Sequence, residues 1–125
     1  FPTSRKIAVL GSTGGGRDSW KRPVLGKIAD EYCDEIIITN EDPYDEDPMK
    51  IIEEVAKGVT THTPTIILDR REAIAHALSL ARTGDTVFIT GKGTDPYIMG
   101  PHGTKEVWDD ATVAKEELEK ILKIQ

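Results

Sequence analysis

Ile7-Ala-Val-Leu10, followed at once by Gly11-Ser-Thr-Gly-Gly-Gly-Arg17-Asp-Ser-Trp-Lys21-Arg-Pro23, is the stretch whose reading decides the fold of this chain. A short apolar run that ends in a glycine-rich turn and feeds a helix-period pattern reads as strand, loop and helix in succession. That succession gathers backbone N–H groups and a helix N-terminus around one spot, where an anion is favoured. Arg17, Lys21 and Arg22 add positive charge to the same spot.

The same succession recurs down the chain. From Pro23, residues Val24, Leu25, Ile28, Ala29, Tyr32 and Cys33 repeat at the one-and-four spacing of an amphipathic helix, with Pro23 in its first turn. Residues 35–39, with three consecutive isoleucines, read as a second buried strand. Residues 40–47 are an acidic, turn-forming loop. Asp47 then caps a helix that has Pro48 at its first position, Ile51, Ile52, Val55 and Ala56 on its inner face, and Gly58 as its stop. Residues 65–68 are a third strand, and Asp69-Arg-Arg-Glu72 has capping-box spacing at the head of a helix with Ile74, Ala77, Leu78 and Ala81 inward. A fourth strand over 86–90 runs into a second glycine loop, Gly91-Lys-Gly-Thr-Asp95-Pro96. Residues 97–107 read as a hairpin or irregular excursion, and Asp109 or Asp110 starts a last helix with Val113, Ala114, Leu118, Ile121 and Leu122 inward. Alternation of this kind predicts an α/β domain: a Rossmann-like three-layer fold over residues 1–125, mostly parallel, with helices on both faces. Ligands in such sheets bind at the carboxyl ends of the strands, and the loops at 11–22, 40–47, 69–70 and 91–96 all fall on that rim.

Composition narrows the partners. A net charge of −6 and a pI near 5.0 give no general attraction for nucleic acid or an anionic membrane. The positive charge is local, at residues 17–22 and at Arg70-Arg71, which suits a small anionic ligand. The single Cys33 excludes an internal disulfide and a cysteine-based metal site within one chain, and its place in a helix register reads as a buried structural thiol. No apolar run approaches the roughly 18 residues of a membrane span, and no signal-peptide pattern opens the sequence, so a cytoplasmic location is expected.

The motifs also exclude chemistry. The first glycine loop lacks the Lys-Ser/Thr of a phosphate-binding P-loop and fails the dinucleotide fingerprint. Gly14, Gly15 and Gly16 alone leave a simple turn and a ligand cradle equally open; Arg17 beside Asp18 favours the cradle, because arginine can fork a carboxylate or phosphate. Glu41 and Asp42, at the end of the second strand, face the proposed pocket and could attract an ammonium group, whereas Asp45 to Asp47 read as a solvated turn and a cap. His62, His76 and His102 read as structural or solvated, and no Ser-His-Asp or Cys-His arrangement and no metal site can be argued. Trp20 and Trp108 are expected to be partly buried over the core.

Taken in order, these motifs resemble the C-terminal domain of the Mur ligases, above all the UDP-N-acetylmuramoyl-dipeptide ligases that add the third amino acid of the peptidoglycan stem. The family's Gly-Gly-Asp-Arg-Asp followed by Lys-Arg-Pro is similar to Gly15-Gly16-Arg17-Asp18 and Lys21-Arg22-Pro23, with Gly16 in place of the first Asp. Its Asp-Asn-Pro-Arg and Glu-Asp-Pro are similar to Glu41-Asp42-Pro43-Tyr44 and Glu46-Asp47-Pro48, and its Asp-Arg-x-x-Ala-Ile to Asp69-Arg70-Arg71-Glu72-Ala73-Ile74. Its Gly-Lys-Gly-His-Glu is close to Gly91-Lys92-Gly93-Thr94-Asp95, and its Asp-Asp to Asp109-Asp110.

The resemblance implies one domain of a longer enzyme. Other domains would use ATP and Mg²⁺ to phosphorylate the substrate's glutamyl carboxylate and would bind the UDP-sugar, while this domain would hold the incoming amino acid. By position, Arg17 would hold the acceptor's carboxylate, and Asp42, Tyr44, Gly91 and Asp95 would line its side-chain end. Asp18, Lys21 and Arg22 would lie nearer the nucleotide and its phosphates. No catalytic residue and no metal ligand is assigned to the chain itself, which alone would need no cofactor and turn over no ATP.

The arginine of Asp-Asn-Pro-Arg marks enzymes that take meso-diaminopimelate. With Tyr44 there and Glu41, Asp42 and Asp95 nearby, the expected acceptor is L-lysine in preference to diaminopimelate. The family's domain begins with a further strand and helix before Lys6, and a chain without them would expose an apolar surface that favours self-association. Two other readings stay open: a stand-alone phosphate- or nucleotide-binding module, and a ligase domain of the folylpolyglutamate or cyanophycin type.

Overall fold

The structure is a computed structural model that describes residues 4–12, 14, 19–90 and 97–124. Four strands, β1 (Lys6–Leu10), β2 (Glu35–Ile38), β3 (Thr65–Ile66) and β4 (Thr86–Ile89), form one parallel sheet in the order β3-β2-β1-β4. Side chains alternate along a strand, so the unbroken apolar runs feed two separate cores. Ile7, Val9 and Ile37 point to one face, where they pack with Ala73, Ile74 and Ala77 of α3 (Arg70–Leu80) and with Val113 of α4 (Asp110–Ile124). Ala8, Leu10, Ile36 and Ile38 point to the other face and pack with Ala29 of α1 (Lys21–Tyr32) and with Ile52 and Val55 of α2 (Pro48–Ala56). This is the α/β layering that the sequence implies. Burial on both faces is why β1 and β2 carry no polar alternation.

Helix starts follow the expected chemistry. The Asp47 carboxylate accepts from the Met49 N–H at 3.0 Å, and Asp69 accepts from the Glu72 N–H at 3.0 Å. Gly58 lies just past the end of α2, where the stop is expected, and has a second part. Its φ is not positive, and a Cβ there would lie 1.9 Å from the Pro23 carbonyl oxygen, while one on Gly26 would lie 2.0 Å from that of Val55. The two glycines let α1 and α2 pack backbone against backbone. Gly84, with φ +92, is the glycine that a left-handed turn requires after α3.

Other expectations are corrected. The third strand spans two residues rather than four, and Leu68 is exposed at the sheet edge. Leu118 and Leu122 lie on the outer side of α4 and are exposed. Trp20 is 67% exposed, with the Lys21 ammonium 5.5 Å from its ring centre, whereas Trp108 is buried as expected. Cys33 is half-buried, and burial together with the neighbouring Asp34 charge pushes its thiol pKa up.

The covering of the sheet is also uneven. Beside α1 a groove of about 380 Å³, lined by Ala8, Leu25, Ile28, Tyr32 and Phe88 among others, leaves the α1 side of β4 open. Beyond β4 the chain makes a small antiparallel hairpin, β5 (Tyr97–Met99) and β6 (Lys105–Val107), around a 3-10 turn at Pro101–Gly103.

Candidate functional site

The chain runs β1, β2, β3 toward one sheet edge, then returns through α3 to place β4 on the other side of β1. The strand order therefore reverses beside β1, and ligand sites of open parallel sheets form outside the carboxyl ends at such a point. Around it lie Gly11 and Gly14 after β1, the acidic loop after β2 and the head of α3. Arg17, Asp18, Gly91 and Asp95 lie outside the described residues.

Arg70 is the buried hub of this rim. Its Nε and Nη2 donate to the two carboxylate oxygens of Asp110 at 2.9 and 2.8 Å. Nη1 donates to the Asn40 carbonyl at 3.1 Å, and Nη2 also donates to the Thr90 carbonyl at 2.7 Å. One guanidinium thus ties the ends of β2 and β4 to the start of α4, and Trp108 Nε1 donates to the same Asp110 at 2.7 Å. Gly11 lies against this hub, where a Cβ would meet Arg70 Nη1 at 3.0 Å. The expectation that Arg70-Arg71 offers positive charge to a small anion is therefore corrected. Arg70 is 3% exposed and internally bonded, and Arg71 pairs with Glu116 and Glu117 of α4, each at 2.9 Å.

Arg22 has a similar fate. It is 2% exposed, its Nη1 donates to Glu54 at 2.8 Å, and both terminal nitrogens reach Glu46 at 3.1 Å. Burial works against its charge, and the two carboxylates more than offset that, so its pKa is raised. Its guanidinium braces α1 against the acidic loop and α2 rather than standing open to phosphates. Lys21 is exposed at the head of α1. An open cleft of about 530 Å³ lies beside the brace, lined by Ser19, Tyr44, Asp45, Lys50 and the Arg22 pairs.

The acidic loop is wired on both sides. Gly14 N–H donates to the Asp42 carbonyl at 2.6 Å, and a Cβ on Gly14 would lie 2.0 Å from the Pro43 carbonyl oxygen, so only glycine fits. Glu41 and Asp42 are buried, and Asp42 Oδ1 accepts from the Met99 N–H at 2.8 Å. Tyr44 stands in the left-handed region with φ 53, and its N–H donates to the Met99 carbonyl at 3.2 Å. Asp42 and Tyr44 both bond the backbone of Met99, so the Asp42 carboxylate is engaged within the fold through Oδ1.

Sequence reasoning missed three participants: Asp110 as the partner of Arg70, Asp45 as a tie to the hairpin, and Met99. The doublet Asp109-Asp110 was visible in the sequence, yet no local spacing links it to an arginine forty positions away.

Among the described residues, no group of three or more His, Cys, Asp or Glu is placed to hold a metal ion, and no helix is long and apolar enough to cross a membrane. A family profile described as "Mur ligase, glutamate ligase domain" matches residues 1–93. The chain belongs to the Mur ligase family. Two curated Mur ligases are similar to it, both named UDP-N-acetylmuramoyl-L-alanyl-D-glutamate--2,6-diaminopimelate ligase. That of Aquifex aeolicus is 46% identical over 113 residues, covering 90% of this chain and 23% of the relative. That of Syntrophomonas wolfei is 47% identical over 117 residues, covering 91% and 24%. A solved structure of a ligase of the same name superposes with a TM-score of 0.86 at 32% identity, over 94% of this chain and 24% of that one. The chain therefore spans about a quarter of the length of these Mur ligases and corresponds to their C-terminal domain. The lysine expectation finds no support among them.

Proposed function

We propose that this chain is the acceptor-handling C-terminal domain of an ATP-dependent ligase of peptidoglycan synthesis, working in the cytoplasm. The longer enzyme would join 2,6-diaminopimelate to UDP-N-acetylmuramoyl-L-alanyl-D-glutamate. The observation that carries this reading is the likeness, at 46% and 47% identity over nine-tenths of the chain, to ligases whose names specify that acceptor. The geometry supports it from a second side. Tyr44 in place of an arginine and the acidity of the rim are the grounds for lysine, and two of those carboxylates, Glu41 and Asp42, are buried.

In this reading ATP and Mg²⁺ belong to parts of the longer protein outside this chain, where they supply an acyl phosphate on the glutamyl side chain. The chain's part is to hold the acceptor so that its free amine reaches the acyl carbon; the amide bond forms as phosphate leaves. Arg17 would fork the acceptor's carboxylate, and Asp42, Tyr44, Gly91 and Asp95 would surround its side-chain end. Asp18 and Lys21 would lie toward the nucleotide, with Arg22 behind them as a brace.

The test is ATP-dependent tripeptide formation by the longer enzyme with diaminopimelate and L-lysine offered separately. Diaminopimelate should give the larger kcat/KM, by at least about tenfold. A preference for lysine overturns the acceptor assignment. The 125-residue chain alone should turn over no ATP.

A further inference from the structure

We infer that the β5–β6 hairpin is the positioning element of the acceptor's side-chain subsite, latched to the Tyr44 loop by Asp42 and Asp45. The inference rests on the reading above, in which that loop lines the acceptor site. The hairpin stands apart from the main sheet, since its two strands pair only with each other among the described residues. It is nevertheless stiff. Its tip is closed by Gly100 N–H to the Thr104 carbonyl at 2.8 Å and by Thr104 N–H and hydroxyl, both donated to the Pro101 carbonyl, at 3.1 and 2.7 Å. Its base is anchored because Ile98 is buried in the core cluster that holds Trp108 and Val113.

Three bonds join this rigid piece to the acidic loop. Met99 uses both of its backbone groups: its N–H donates to Asp42 Oδ1 at 2.8 Å, and its carbonyl accepts from Tyr44 N–H at 3.2 Å. The His102 N–H, at the tip, donates to Asp45 Oδ1 at 2.8 Å. On its other side the loop rests on Gly14, whose N–H bonds the Asp42 carbonyl. Tyr44, between these supports, holds a φ of 53 that a tyrosine takes up only at a cost. Such a backbone persists where its surroundings over-determine it, and here the hairpin and Gly14 do so together. Asp45 is a positioning residue in this account, acting on the acceptor through Tyr44.

Asp45 is the residue to test, because it is exposed and its loss leaves the cores intact. In the longer ligase, Asp45→Ala should raise the KM for diaminopimelate about three- to tenfold, the range that loss of one ordinary hydrogen bond implies. The KM values for ATP and for the UDP-linked dipeptide should stay unchanged. Asp45→Asn, which keeps an Oδ1 acceptor for the His102 N–H, should stay within about twofold of the unsubstituted enzyme. Hydrogen exchange in the same proteins should quicken at the Tyr44 and His102 amides in Asp45→Ala, with the β1 and β2 amides unmoved. An unchanged acceptor KM, a rise in all three KM values alike, or equal damage in both variants overturns the latch. If the unsubstituted enzyme takes another amino acid, only the acceptor assignment fails, and the latch is read on the acceptor it does take. If it takes none, unchanged exchange at Tyr44 and His102 still overturns the latch.

Discussion

Arg70 and Tyr44 show how single residues set this rim. Arg70 is a buried cation whose burial is compensated by Asp110 and two carbonyls. Removing one partner of such a pair leaves the other charged and buried, which costs about 3–5 kcal/mol. Arg70→Ala should lose stability of that order in urea unfolding of the chain. Arg70→Lys should recover little of it, because an ammonium cannot span Asn40, Thr90 and Asp110 together; full recovery by lysine would contradict this account of the hub. Tyr44 offers the complementary change. Arginine meets much the same backbone strain at φ 53 as tyrosine, so exchanging one for the other leaves that term nearly constant. If the acceptor's distal carboxylate lies there, Tyr44→Arg adds a charge-assisted bond and should lower the KM for diaminopimelate by about tenfold. An unchanged KM would place that carboxylate elsewhere.

Among the elements, the loop between α2 and β3 is fastened by one buried carboxylate. Asp30 on α1 accepts from the backbone N–H groups of Thr60, Thr61 and His62 at 3.0–3.1 Å and contacts the His62 ring at 2.8 Å. Burial opposes its charge, and these donors outweigh burial, holding its pKa well below the usual carboxylate range. Asp85, Asp109 and Glu117 are also held low: Asp85 by backbone N–H groups of Arg5 and Arg82, Asp109 by Thr112, and Glu117 by Lys120 and Arg71. A carboxylate whose folded pKa lies below its unfolded one contributes stability above the unfolded value, and that contribution is lost as pH falls toward the folded one. The Tm should therefore be nearly flat above about pH 5 and fall steeply below about pH 4. Asp30→Asn should lower Tm at neutral pH and flatten the acid slope; an unaltered slope would remove Asp30 from the account. The same element scale explains what was legible in the sequence. The runs at 6–10 and 35–38 and the caps Asp47 and Asp69 are local patterns, and each element formed where its pattern lies. The bracing parts of Arg22 and Arg70 and the close packing at Gly58 are not legible there, because the groups that define them lie 20 to 40 positions away, or on a helix packed alongside. A charge beside a glycine loop reads as open to a ligand until its partners are known.

For the whole molecule, the uneven covering of the sheet has a consequence. Phe88, Ile28 and Tyr32 are 44%, 52% and 64% exposed around one apolar groove. Next to it, β4 pairs with β1 alone among the described residues. An open strand edge beside an apolar face is a template for a second copy. The 125-residue chain should therefore self-associate in sedimentation, and Phe88→Glu with Ile28→Glu should return it to a monomer; a wild-type chain that stays monomeric at about 100 μM contradicts this. Within the longer enzyme, the central claim is that this chain selects and holds the acceptor amino acid. The most direct measurement replaces the corresponding quarter of the Aquifex aeolicus ligase with this chain and follows ATP-dependent ligation with diaminopimelate and with lysine. The account predicts a folded chimera that joins diaminopimelate in preference to lysine; a folded, ATP-binding chimera that prefers lysine, or ligates neither, would contradict it.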